Sequence, residues 1–262
     1  MLKYRGSLDG IRHYKIKGKE GSFAVYVTPV SADRIKKGAE FARTRENMNE
    51  FGACGRITAS FRMGIAPLLT QMADDTMSAR AVKLMKKINL EDLSEARGYR
   101  AILVSKKGEM LIRFPYRESL QLRDVLRAPY SMTHTESKES ATFHIEPFVP
   151  AKVLTYPSGA THFRFIQILS VLSDFAYNAV TEQYEPVEAV LNEKSVITYS
   201  DYFPVSDDVA QVLSLTSTLT NVEGLATAQV ACIQSVGIEF VQQVGERYVS
   251  FTKDALMVGD VF

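Results

Sequence analysis

Side chains suited to chemistry are sparse in this chain. Its four histidines, His13, His134, His144 and His162, include no pair at the i, i+2 or i, i+4 spacing that brings two imidazoles onto one face. His144 and Glu146 would share one side of a strand, and His162 on a neighbouring strand would complete a metal-binding or acid–base group. A solvent-facing or core-edge histidine explains each more simply. Asp74 with Asp75, and Asp207 with Asp208, lack the spaced oxygen ligands of a calcium loop and are expected at helix ends or turns. The sequence has no G-x-S-x-G elbow, no G-x-x-x-x-G-K-[ST] phosphate loop, no G-x-G-x-x-G after a strand and no H-E-x-x-H. We therefore expect a protein that is not an enzyme, with no cofactor, no metal and no catalytic residue.

The other group with a chemical character is at the start. Lys3, Arg5, Arg12, Lys15, Lys17 and Lys19 interleave with Tyr4, Tyr14 and Tyr26, a mixture that suits phosphate contact and base stacking. A basic ribbon can equally lie on an acidic surface of another copy, and the chain supplies one. Residues 1–127 hold 25 Lys and Arg against 14 Asp and Glu, net +11, whereas 128–262 hold 6 against 16, net −10. An overall charge of +1 conceals this dipole, which points to a polyanion or to a complementary surface on a second copy.

The elements that must position these groups are legible in outline. Hydrophobic residues at 46% and charged residues at 23% are ordinary for a folded domain, and 262 residues can bury a sizeable core. Alternation over 11–17 and 22–28, around a Gly-Lys-Glu-Gly turn at 18–21, predicts a basic β-hairpin arm over 1–30. Residues 31–127 read as a helical region with a β-hairpin. One helix runs from an N-cap at Ser31 to about Met63, broken near Gly38 and at Gly52 to Gly55, with Phe41, Met48, Phe51, Cys54, Ile57, Phe61 and Ile65 as its apolar stripe. A second, from Pro67 to about Asn89, carries Leu68, Met72, Met77, Ala81, Leu84, Met85 and Ile88. The hairpin is placed at 100–105 and 110–114, and a short helix at 118–127.

Residues 128–142, rich in Ser, Thr and Glu, mark a boundary, and 128–262 read as an antiparallel β domain. Its strands are expected at 142–149, 161–172, 195–203, 209–220, 227–243, bulged or bent at Gly237, and 247–252. The fold class is α+β: a helical and hairpin N-terminal half with an antiparallel β-sandwich-like C-terminal domain.

Cys54 and Cys232, the only cysteines, sit among small or apolar neighbours and read as buried thiols. The first 21 residues are too often interrupted by Lys and Arg to form a secretory core, and no run approaches the roughly 20 apolar residues that span a bilayer. The expected setting is cytoplasmic, with release as part of a larger particle, and without membrane insertion.

The runs Gly6-Ser7-Leu8, His13-Tyr14-Lys15 and Ala39 to Gly52 (AEFARTRENMNEFG) resemble the start of an uncharacterised family common in Bacteroidota. Pro157 to Phe163 (PSGATHF) and Gly237 to Val241 (GIEFV) are similar to that family's C-terminal half. The resemblance implies an intracellular origin and a shared architecture, and no activity or site residue. The sequence is thus expected to be a non-catalytic structural protein, a homo-oligomer that forms a filament, tube or ring through its basic arm and acidic β domain. A nucleic-acid-binding accessory role for the same arm is the alternative, and a small-ligand or enzymatic site around His144, Glu146 and His162 a second.

Overall fold

The computed structural model describes residues 6–8, 10–27, 30–251 and 254–262. The chain divides into two units, Met1–Met48 and Asn49–Phe262.

In the first unit, β1 (Gly6–Leu8), β2 (Ile11–Tyr14) and β3 (Phe23–Tyr26) form an antiparallel meander. The expected hairpin is its second and third strands, and β1 pairs alongside it; Lys3, Arg5 and Thr28 lie outside the described residues. Next come α1 (Ala32–Lys37), a 3-10 turn (Ala39–Phe41) and the start of α2 (Ala42–Met63). Ser31 Oγ accepts the Arg34 amide at 3.2 Å, capping α1 as expected, and α1 ends at Gly38.

In the second unit the helical elements are the rest of α2, a 3-10 turn (Ala66–Leu68), α3 (Leu69–Met72), α4 (Met77–Leu90), α5 (Val104–Lys107), a 3-10 turn (Gly108–Leu111) and α6 (Leu122–Val125). The strands follow: β4 (Tyr130–His134), β5 (Ser140–Phe148), then α7 (Pro150–Val153), β6 (His162–Ser173), β7 (Phe175–Asn178), β8 (Gln183–Pro186), β9 (Ser195–Tyr199), β10 (Phe203–Pro204), β11 (Gln211–Thr218), β12 (Val230–Val244), β13 (Arg247–Ser250) and β14 (Ala255–Val261). All sheets are antiparallel. The central pair is β6 with β12, in continuous register from Ser173 opposite Val230 to His162 opposite Val241. β9 and β10 flank β6, and β13 and β14 flank β12.

This central sheet is covered on both faces, which is why β6 and β12 read as near-continuous apolar runs. On one face Ile166, Ile168, Ile233, Leu256 and Val258 pack with Ile57, Phe61, Met85 and Ile88 of the helices. On the other, Phe163, Phe165, Ile238 and Phe240 meet Phe143, Ile145, Leu213 and Leu215 of the β11-β5-β4 sheet. The result is an α+β fold with helices on one side of a β-sandwich. The two sheets approach where the Thr198 and Ser217 hydroxyls bond at 2.8 Å, and curl into a half-barrel. Among the described residues no helix is long and apolar enough to cross a membrane.

Several local expectations are corrected. Helix α2 runs unbroken through Gly52 and Gly55. Only its lower stripe faces the core: Cys54, Ile57 and Phe61 are buried, whereas Met48 and Phe51 are exposed. Each step of three residues rotates about 60° short of a full turn, so a run of such steps drifts off the buried face. The second helix is interrupted after Met72 and resumes at Met77. No hairpin forms at 100–114. There the Asp174 carboxylate accepts the Ser105 amide at 2.8 Å and the Ser105 hydroxyl at 2.6 Å, capping helical turns that bury Val104 and Leu111. Within the stretch 128–142, Tyr130–His134 forms an additional strand, β4, paired with β5.

β12 has no register shift at Gly237 toward either neighbour; its irregularity is toward β14, between Gln234 and Ser235. Glycine is required at 237 because a Cβ there would stand 2.3 Å from the Ala255 carbonyl oxygen.

Candidate functional site

Among its described residues the basic arm is a ribbon that buries no side chain. Arg12 lies in β2 opposite Val25, and Lys15, Lys17 and Lys19 follow in the connection to β3, where Gly18 and Gly21 take positive φ; all four cations are exposed. Tyr14 lies on the Arg12 side, its ring 6.0 Å from Phe23. From residue 10 to residue 48, no described side chain is buried. Ile11, Tyr14, Val25, Tyr26, Val27 and Val30 are all among the exposed large apolar residues. On the helical side, Arg45 donates to the carbonyls of Ile35 and Gly38 at 2.8 and 2.7 Å, and Arg34 pairs with Glu40 at 3.1 Å. These contacts set the local shape of the unit without burying any described side chain.

The structure does not assemble the histidine group. His144 and Glu146 share a face of β5 at 3.9 Å, half-exposed, while His162 belongs to the other sheet. There its Nδ1 is 3.0 Å from Thr161 Oγ1 and its ring meets Tyr248 edge-on. His134 is stacked on Phe262 with ring centroids 3.8 Å apart. Among the described residues no group of three His, Cys, Asp or Glu could hold a metal ion. Asp74 and Asp207 organise turns as expected, Asp74 accepting from Thr76, Arg80 and the Glu118 amide, and Asp207 from Val209 and Gln211. Both cysteines are buried, and burial pushes the Cys54 thiol up to about 11 and that of Cys232 up to about 12. Neither is a nucleophile at neutral pH.

The densest polar cluster is one that spacing does not reveal. On the helix-facing side of the central sheet, Glu239 of β12 pairs with Arg164 of β6, and both carboxylates of Glu239 and Asp254 accept from Gln71 of α3. The Arg164 guanidinium lies 4.0 Å above the Tyr199 ring and 4.9 Å from that of Tyr202, which stacks on Tyr248 at 4.0 Å. Asp254 has a structural task. β13 and β14 leave a gap along β12, and the Phe240 amide, without a ladder partner there, donates to Asp254 Oδ1 at 2.9 Å. Burial pushes the Asp254 carboxyl up to about 7. Sequence signals for the cluster exist in retrospect: Arg164 and Glu239 are opposite charges in otherwise apolar strand runs, and they face each other in register.

The chain matches no family model, curated protein or solved structure. Its chemistry has to come from its own residues. The arm offers an exposed basic and apolar surface. The cluster offers fully engaged carboxylates whose acceptor capacity closes a sheet edge and ties the helices to it. The second arrangement ties the helices to the central sheet.

Proposed function

We propose that this is a non-catalytic structural protein that self-assembles, into a filament, tube or ring, by laying its basic N-terminal unit on the acidic, sheet-rich unit of another copy. The supporting observation is that residues 10–48, which include two strands, a helix and the start of a second, have no buried side chain among those described. A small ribbon with no core is not stable by itself and needs a surface to pack on. Its charge selects that surface. The first 48 residues carry 11 Lys and Arg against 5 Asp and Glu, net +6, and the remaining residues 20 against 25, net −5. Joining two different surfaces generates rings or open filaments rather than closed twofold dimers.

The test is light-scattering mass against concentration at low and high salt, with negative-stain electron microscopy of the same samples. Association that strengthens with concentration and weakens with salt is expected. Replacing Arg12, Lys15, Lys17 and Lys19 with Ser should abolish it. A monomer at every concentration removes the proposal.

Exposed Tyr14 and Tyr26 beside the four cations favour one second reading, a nucleic-acid-binding accessory protein. A monomeric chain that shifts single-stranded DNA or RNA at low salt, and loses the shift in the four-residue variant, would put this reading first.

A further inference from the structure

Helix α4 turns Met77, Ala81, Met85 and Ile88 into the core. Its outer face forms, with α2, a groove of about 490 Å³ whose floor is Phe51, Ala79, Val82 and Leu90 and whose rim carries Lys83 and Lys87. The floor is unusually open for such residues: Phe51 is 64% exposed and Leu90 49%. A third lysine at the groove, Lys86, is already committed to buried Glu50 and to Asn89. Lys83 and Lys87 form no ion pair among the described residues. An occupant must therefore bring an apolar side chain with carboxylates beside it.

The chain carries such a group. The β7–β8 hairpin has four residues at its tip, and Val180 there is 93% exposed. Glu182 follows it on the tip, and Glu185 is the third residue of the return strand. The tip is stiff: Asn178 Oδ1 accepts the Val180 amide at 2.9 Å, and Asn178 Nδ2 donates to Glu185 at 2.8 Å. The hairpin is also pinned to its own subunit, the Tyr184 hydroxyl donating to the carbonyls of Gly98 and Arg100 and Arg56 donating to the Tyr184 carbonyl. A fixed tip whose valine is almost wholly in solvent does not occupy the groove of its own chain.

We infer that the α2–α4 groove receives the Val180 hairpin tip of a second copy, with Lys83 and Lys87 facing Glu182 and Glu185. The contact deepens the self-assembly reading and rests on it. Groove and tip are different surfaces, so the contact is of the head-to-tail kind that the arm also requires.

Two chains test it, one carrying Ala79→Cys and the other Val180→Cys. Both natural thiols are buried, so they do not compete. Oxidation of the mixture should give a crosslinked dimer on a non-reducing gel that neither chain gives alone. In parallel, Lys83→Glu with Lys87→Glu, and separately Glu182→Lys, should each weaken association at least tenfold, and mixing the two variants should restore it, with melting temperatures near that of the parent. A parent chain that associates while the mixture fails to crosslink and the charge variants associate normally overturns the groove contact and leaves the arm reading intact. A parent chain that is monomeric throughout overturns both. An acidic helix of another protein would compete for the groove without crosslinking to Val180→Cys.

Discussion

Glu239 and Asp254 share one amide: Gln71 Nε2 donates to Oε1 of the first at 2.7 Å and to Oδ2 of the second at 2.8 Å. Glu239 spends its other oxygen on Arg164, and Asp254 its other oxygen on the Phe240 amide. One helix side chain thus joins both ends of a gap in the central sheet.

That arrangement makes stability fall as pH rises. Burial, helped by the nearby Glu239 charge, pushes the Asp254 carboxyl from 3.8 to about 7, against the Phe240 amide, Gln71 and Arg117. Between those values the folded chain keeps a proton that the unfolded chain releases, so folding weakens with pH by at most about 1.4 kcal/mol per unit. Asp254→Asn should flatten this dependence. Urea titrations of both proteins at pH 5, 6, 7 and 8 check it, and parallel curves would sink the idea.

Asp74 works with the opposite sign. Burial opposes its ionisation, but the Glu118 amide, the Thr76 hydroxyl and Arg80 outweigh it and hold the carboxyl well below the ordinary range. Its contribution is present above about pH 4 and is lost as pH falls further. Asp74→Asn should therefore cost about 1–2 kcal/mol at pH 7 and lose less than the parent between pH 4 and 2, measured by thermal melts.

Buried Glu50 accepts the Gly98 amide at 2.8 Å and pairs with Lys86. Glu50→Ala leaves a donor unpaired and an ammonium stranded, at a cost of about 2–4 kcal/mol. Glu50→Gln keeps the amide acceptor and should cost less than half as much in guanidinium unfolding. Equal losses would show that the charge alone matters.

Gly237→Ala places a methyl against the Ala255 carbonyl, so β14 must move away from β12. We expect a loss of about 3 kcal/mol, the upper end for overpacking, because the neighbour is backbone and cannot change rotamer. Gly52→Ala, with open space around its Cβ, should be neutral or stabilising in the same melt.

Removing residues 1–38 deletes no described buried side chain. The melting temperature of the remaining chain, followed by circular dichroism, should stay within about 3 °C of the parent, while self-association disappears. A collapse in stability would show that the arm belongs to the fold.

The fold class was legible because its largest signals are local. Cys54, Ile57 and Phe61 repeat at helical spacing, and the strands β5, β6, β9, β11 and β12 announce themselves as apolar or alternating runs. What failed depended on distant partners. Val104 and Ser105 look extended until Asp174 arrives to cap a helical turn there, and Tyr130 to His134 looks like a linker until β5 lies beside it. The charged cluster was hidden for the same reason, since Gln71, Arg164, Glu239 and Asp254 are gathered only by the sheet. The arm's cations were visible from composition. Its lack of a core was not, because exposure belongs to the structure and the residue types alone suggested only a ribbon that must dock.

Leu256 and Val258 of β14 pack in the same cluster as Ile57, Phe61 and Met85 of the early helices. During synthesis those helices therefore have no completed floor until about 170 to 200 further residues have been added. The newborn chain carries Phe61 and Met85 incompletely sheltered for that interval, a window in which they can be engaged by chaperones or by neighbouring chains on the same message. A premature stop before β14 would leave the helices permanently in that waiting state.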